Sequence, residues 1–165
     1  MFYIDIFKAL ERHKVRYLLV GGLAVNLHGI PRMTMDVDLV LALDAANLAE
    51  FIAAASSLGL QPVLPLAMTD LLDPDKRAEW TKTRNMIAFA LRPPQPDGPT
   101  VDILLVPSID IDTAFARAVS RKLGSTSVTL AAVEDLIIMK EKSGRAQDLA
   151  DIEHLQRLVR EGDKP

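Results

Sequence analysis

The chain reads as a single α/β (α+β) domain: a central mixed sheet of about four or five strands, flanked by helices and closed by a C-terminal helix pair. Two observations predict this. Short apolar runs of strand length alternate with longer amphipathic stretches, and Gly, Pro and Asp punctuation separates them. The chain has 165 residues, 49% of them hydrophobic, which suits one domain with a substantial core. The expected domain spans 1–165, with a core over about 15–130 and the helix pair over about 130–160.

Each element has a local reason. Residues 2–14 form an amphipathic helix, with Phe2, Ile6, Ala9 and Leu10 near one face. Arg16 to Val20 is a first buried strand, stopped by Gly21-Gly22. A brief helix from Leu23 to about His28 ends at Gly29, and Ile30-Pro31 prevents its continuation. Met35 to Leu43 is the second strand. Asp44 caps an alanine-rich helix that ends near Leu58, with Gly59 just beyond. Residues 61–80 carry three prolines and little periodicity, so a loop with one helical turn is expected. Arg84 to Leu91 and Thr100 to Val106 are strands joined by a proline-rich turn. A helix over 111–122, a short strand over 126–128, and helices over 130–142 and 146–160 complete the order, the last two broken at Ser143-Gly144.

Composition narrows the function classes. The absence of cysteine removes disulfides, thiol nucleophiles and Cys-ligated zinc. No apolar run approaches the roughly 18–20 residues of a membrane span, and the N-terminal residues lack the basic-then-apolar layout of a signal peptide. No membrane partner is expected, and cytoplasm is the expected location. A net charge of −3 argues against a surface coated for nucleic acid, and mean hydropathy of +0.16 describes a globular protein. A local basic stretch exists at 76–92, where Lys76, Arg77, Lys82, Arg84 and Arg92 face Glu79 alone. Trp80 and Phe89 within it are either base-stacking groups or core.

The chemistry concentrates in carboxylates. In a strand, residues i and i+2 share a face about 6–7 Å apart, so Asp36 and Asp38 project together while Val37, Leu39 and Leu41 point away. The acidic face turns apolar at once, at Val40 and Ala42, which a merely solvated face would not do. Asp102 is the lone charge in the apolar run Thr100 to Val106. An isolated buried carboxylate costs several kcal/mol unless paired or metal-bound. If the two strands are neighbours, three carboxylates converge, the donor set for a two-metal Mg²⁺ site with Asp102 as general base. The alternative is a carboxylate paired with Arg32 or Arg84.

Gly21-Gly22 allows close backbone approach to a phosphate at a helix start, or simply makes a tight turn. Arg32 and Thr34, just before the acids, either contact phosphate or metal or make ordinary loop hydrogen bonds. Lys140 and Asp148 both fall on apolar helix faces. Either they form a buried ion pair tying the last helices together, or Asp148 holds Lys140 toward a triphosphate. Arg145 serves either arrangement.

These residues form a known pattern. Gly-Gly, a short helix, Asp-x-Asp and a later lone Asp resemble the DNA polymerase β-type nucleotidyltransferase superfamily. Val20-Gly-Gly-Leu-Ala-Val25, His28-Gly29 and Arg32-x-Thr34-x-Asp36-Val-Asp38-Leu39 are similar to the minimal bacterial AbiEii/MenA-like, toxin-type members. The tail Lys140-x-x-x-Gly144-Arg145-x-Gln147-Asp148-x-x-Asp151 resembles their Lys…Arg-x-x-Asp helix pair. The resemblance implies the nucleotidyltransferase fold and metal-dependent transfer of a nucleoside monophosphate from an NTP to an acceptor hydroxyl. It makes Asp36, Asp38 and Asp102 the Mg²⁺ ligands. Gly21 and Gly22 would hold phosphate and Lys140 the triphosphate. For toxin-type members it implies a tRNA acceptor and an antitoxin partner; lincosamide- and aminoglycoside-modifying relatives use an antibiotic hydroxyl. The chain is short, leaving a monomer with an open acceptor face or a homodimer. A third possibility is a non-catalytic module that binds nucleotide or a partner.

Overall fold

A computed structural model describes residues 2–162, so Met1 and residues 163–165 of the expected 1–165 domain lie outside it. Among the described residues, seven α-helices surround a mixed sheet: α1 (Phe2–Arg12), α2 (Gly21–Leu27), α3 (Ala45–Ser57), α4 (Pro74–Thr83), α5 (Ile111–Ala116), α6 (Val133–Ser143) and α7 (Ala146–Gly162). The strands are β1 (Tyr17–Val20), β2 (Val37–Leu41), β3 (Gln61–Pro62), β4 (Ala88–Arg92), β5 (Val101–Leu104), β6 (Val119–Leu123) and β7 (Thr126–Leu130). Their order across the sheet is β3-β4-β5-β2-β1-β7-β6. β2 runs antiparallel to β1 and parallel to β5, so the two acid-bearing strands are immediate neighbours.

The sheet is larger than the four or five strands expected. Much of the difference comes from residues 111–122, where one helix was anticipated. The helix stops at Ala116, and Val119–Leu123 turns into an edge strand paired with β7 through Gly124-Ser125. Gly124 takes the left-handed conformation (φ +60°) that such a two-residue turn needs. Exposed Ser120, Arg121 and Lys122 keep that edge polar, the usual protection of an unpaired strand. The expected loop at 61–80 also holds more structure: β3, a 3-10 turn over Met68–Leu72, and α4. Asp73 caps α4 by accepting from the backbone N–H groups of Asp75 and Lys76, and Pro74 sits at its first position.

Val37, Leu39, Phe89, Leu91, Val101 and Ile103 are buried to 1% exposure or less, as are Phe7 and Leu48 among the covering helices. Trp80 and Phe89 belong to this core, with ring centroids 5.3 Å apart, so neither is free to stack a base. On the opposite face, Asp38, Asp102, Ala88 and Leu104 look into a cavity bordered by α6 and the start of α7.

Candidate active site

The register decides which acids meet. Asp38 is the direct partner of Asp102 across β2 and β5, and of Val20 across β1 and β2. Asp36 stands just before β2, exposed, and its Oδ1 accepts from the Thr100 backbone N–H at 3.3 Å. All three acids line one cavity of about 660 Å³. Gly21 lines it beside Asp38, Lys140, Lys142, Arg145 and Asp148 line it from α6 and the start of α7, and Ile87, Leu104, Val106 and Met139 supply an apolar wall.

Burial and mutual repulsion set the acid chemistry. Asp38 is pushed up to about 7, first by burial and then by the neighbouring Asp102 and Asp36 carboxylates, with Arg145 opposing. Asp102 is raised as well, mainly by burial and by Asp36, against hydrogen bonds from Thr100 and Asp38. Among the described residues Asp102 has no ion-pair partner: Arg32 turns instead to Asp151.

Gly21 has a positive φ of +70°, and a Cβ there would lie 2.1 Å from Asp38 Oδ2. The glycine therefore makes room for the carboxylate. Gly22 is buried, and a Cβ there would lie 2.8 Å from Thr34 Oγ1 and 3.1 Å from Arg32 Cζ. Of the glycine pair, only Gly21 borders the cavity; Gly22, Arg32 and Thr34 stand behind it.

The cationic side is a buried network. Lys140 Nζ lies 2.8 Å from Asp151 Oδ2 and 3.5 Å from Asp148 Oδ1. Asp148 is held chiefly by Arg145, whose Nε donates at 2.8 Å and whose backbone N–H donates at 3.2 Å. Burial alone would raise Asp148, but Arg145 and the Ser143 hydroxyl outweigh it and hold the carboxyl at about 2. Arg32, Lys140 and Arg145 face only Asp148 and Asp151 here, leaving one positive charge over, opposite the acids. Asp151 was no candidate on its own, yet it is buried at the centre of this network. Its signal was present in the periodicity, because 148, 151, 152 and 155 share the buried face of α7.

As the side chains stand, no three His, Cys, Asp or Glu residues among those described close around a single ion position. The donor set still fits Mg²⁺, which takes one or two carboxylates and leaves its other positions to water and substrate phosphate. Adjacent unpaired acids at Asp38 and Asp102, with space cleared at Gly21, are such a set. The basic stretch at 76–92 is partly used up: Lys76 pairs with Asp70 at 2.6 Å and Arg77 bonds the Leu71 carbonyl. Lys82 and Arg84 remain exposed, shortly before Ile87 at the cavity wall.

No helix among the described residues is long and apolar enough to cross a membrane. The chain matches no protein-family model and no curated protein. Among solved structures it is similar to ANT(2″)-Ia in complex with adenylyl-2″-tobramycin, at 14% identity and a TM-score of 0.59 over 96% of this chain and 87% of that one. It is also similar to the lincosamide antibiotic adenylyltransferase LnuA bound to lincomycin, at 17% identity and 0.59 over 94% and 93%. A nucleotidyltransferase-like protein from Paracoccidioides brasiliensis matches at 22% identity and 0.54 over 94% and 75%. These likenesses give the chain a nucleotidyltransferase-like fold.

Proposed function

We propose that the protein transfers a nucleoside monophosphate from an NTP to an acceptor hydroxyl, with Mg²⁺ held by Asp36, Asp38 and Asp102. The observation that carries this reading is the pairing of Asp38 with Asp102 across adjacent strands, in a cavity whose other side is cationic. Mg²⁺, when bound, neutralises phosphate charge and increases the acidity of the acceptor hydroxyl. Lys140 and Arg145 attract the phosphates, Lys140 from a buried position where little water screens it. Asp102, facing the cavity beside Asp38, accepts the proton as the acceptor oxygen bonds to the α-phosphorus. The bond to the bridging oxygen breaks and pyrophosphate leaves.

RNA, tRNA in particular, is the favoured acceptor, in a toxin-type role with an antitoxin as partner. This follows from the resemblance of Arg32-x-Thr34-x-Asp36-Val-Asp38 and the 140–151 tail to toxin-type members, with exposed Lys82 and Arg84 near the cavity. The apolar wall of Ile87, Leu104 and Val106 favours a second reading, a small antibiotic acceptor of the kind the similar structures hold.

The test supplies Mg²⁺, each labelled NTP in turn, and either total tRNA, an aminoglycoside or a lincosamide. Label in RNA that disappears with Asp38→Asn supports the first reading, and label on an antibiotic the second. Nucleotide binding without transfer, surviving Asp36→Ala and Asp38→Ala in the absence of metal, would make the protein a binding module instead.

A further inference from the structure

Asp151 lies one layer behind the cavity, where two parts of the molecule meet. Asp151 is 1% exposed, and its carboxylate takes three donors. Oδ2 accepts from Lys140 Nζ at 2.8 Å and from the Arg32 guanidinium, and Oδ1 accepts from Gln147 Nε2 at 3.3 Å. Lys140 belongs to α6 and borders the cavity. Arg32 belongs to the connection between α2 and β2, which runs directly on to Asp36 and Asp38.

That connection is itself pinned at Arg32. The Arg32 backbone N–H donates to Asn26 Oδ1 at 2.9 Å, and glycine at position 22 leaves room for the guanidinium. A single carboxylate oxygen shared by two cations ties their positions together: in a buried place, neither moves without uncovering charge. Asp148 does not do this work. Its main partner is the exposed Arg145, and it stands farther from Lys140 than Asp151 does.

We infer that Asp151 is a positioning residue that sets the Lys140 ammonium relative to the Asp36–Asp38 pair, so that nucleotide phosphates and carboxylate-held Mg²⁺ meet in register. The inference rests on the nucleotidyl-transfer reading. It predicts a specific loss: metal and nucleotide should each still bind, but should no longer reinforce one another.

The test compares the wild-type protein with Asp151→Asn and Arg32→Met by titration calorimetry, using an NTP analogue with a methylene between the α- and β-phosphates. Titrations are run with and without Mg²⁺, alongside thermal unfolding. Arg32→Met cuts only the connection's side of the joint, so it stays informative if Asp151→Asn fails to fold. The expected result is a nucleotide affinity about 10–100-fold weaker in Mg²⁺ for Arg32→Met, with the metal-free affinity unchanged and Arg32→Lys restoring part of the loss. A lower melting temperature with wild-type reinforcement between Mg²⁺ and nucleotide overturns the inference and leaves a purely structural joint. A wild-type protein that binds no nucleotide under any condition overturns the transfer reading first and this inference with it.

Discussion

Two groups of carboxylates, one at and behind the cationic side of the cavity and one lining the cavity, are in opposite electrostatic situations. Asp148 and Asp151 on α7 are almost fully buried yet surrounded by Arg32, Lys140 and Arg145, and Asp148 sits at about 2. Asp38 and Asp102 are less buried but face each other and Asp36, and Asp38 sits at about 7. Burial raises both Asp148 and Asp38; the presence or absence of a nearby cation decides the outcome. The first group holds two helices and a connection together. The second has no ion-pair partner among the described residues, with Arg145 acting on Asp38 only at a distance, which suits the proposed arrival of a cation with the substrate.

The contrast is tested most directly by removing an acid from the unpaired group and a cation from the paired one. Asp38→Asn is expected to reduce transfer by about 10³-fold or more, roughly 4 kcal/mol of transition-state stabilisation, in the labelled-NTP assay. In the absence of metal the same variant is expected to melt several degrees higher at pH 7, because it removes an acid that the fold holds at a cost. On the paired side the stability effect reverses. Lys140→Met leaves two buried acids short of a cation and should cost about 3 kcal/mol in denaturant unfolding. Arg145→Met, at a side chain 77% exposed, should stay within about 1 kcal/mol.

The pH dependence follows from Asp38. Its folded carboxyl, at about 7, lies above the usual 3.8. Below about pH 4 both folded and unfolded chains hold the proton, and between there and about 7 only the folded chain does. This contribution to stability is therefore fully present at low pH and lost as pH rises through 7. Melting temperatures of the metal-free protein at pH 5 and pH 8 should show the decline, and Asp38→Asn should flatten it. A smaller effect is expected at Gly21. There Gly21→Ala must adopt a positive φ and displace the Asp38 carboxylate, costing about 1–2 kcal/mol of stability together with a loss of transfer.

Much of the core was legible along the chain. The strand carrying Asp38, shorter than expected and beginning after Asp36, the apolar strand holding Asp102, and the helix ends at Asp44 and Gly144 reflect local rules and appear in the structure. The β6–β7 hairpin was missed although Gly124-Ser125 is a two-residue turn signal, because 111–122 was read as one continuous helix. The helix α4 was obscured by the prolines around it, one of which is its first residue. Partner choice is the least legible in the sequence. The expected buried Lys140–Asp148 pair between the last helices is present, but Asp151 joins it at shorter range, and Arg32, a candidate partner for Asp102, goes to Asp151 as well.

Local matters are written along the chain: which residues alternate into strands, where helices begin and stop, and which acids share a face. Those depend on neighbours within a few positions, where the geometry of strand and helix fixes the spacing. Long-range packing sets Asp38 opposite Asp102 and lets a buried carboxylate on the last helix hold both Lys140 and the connection to β2. Those contacts join residues far apart in the chain, and the sheet register and the packing of α6 against α7 set them, not local propensity.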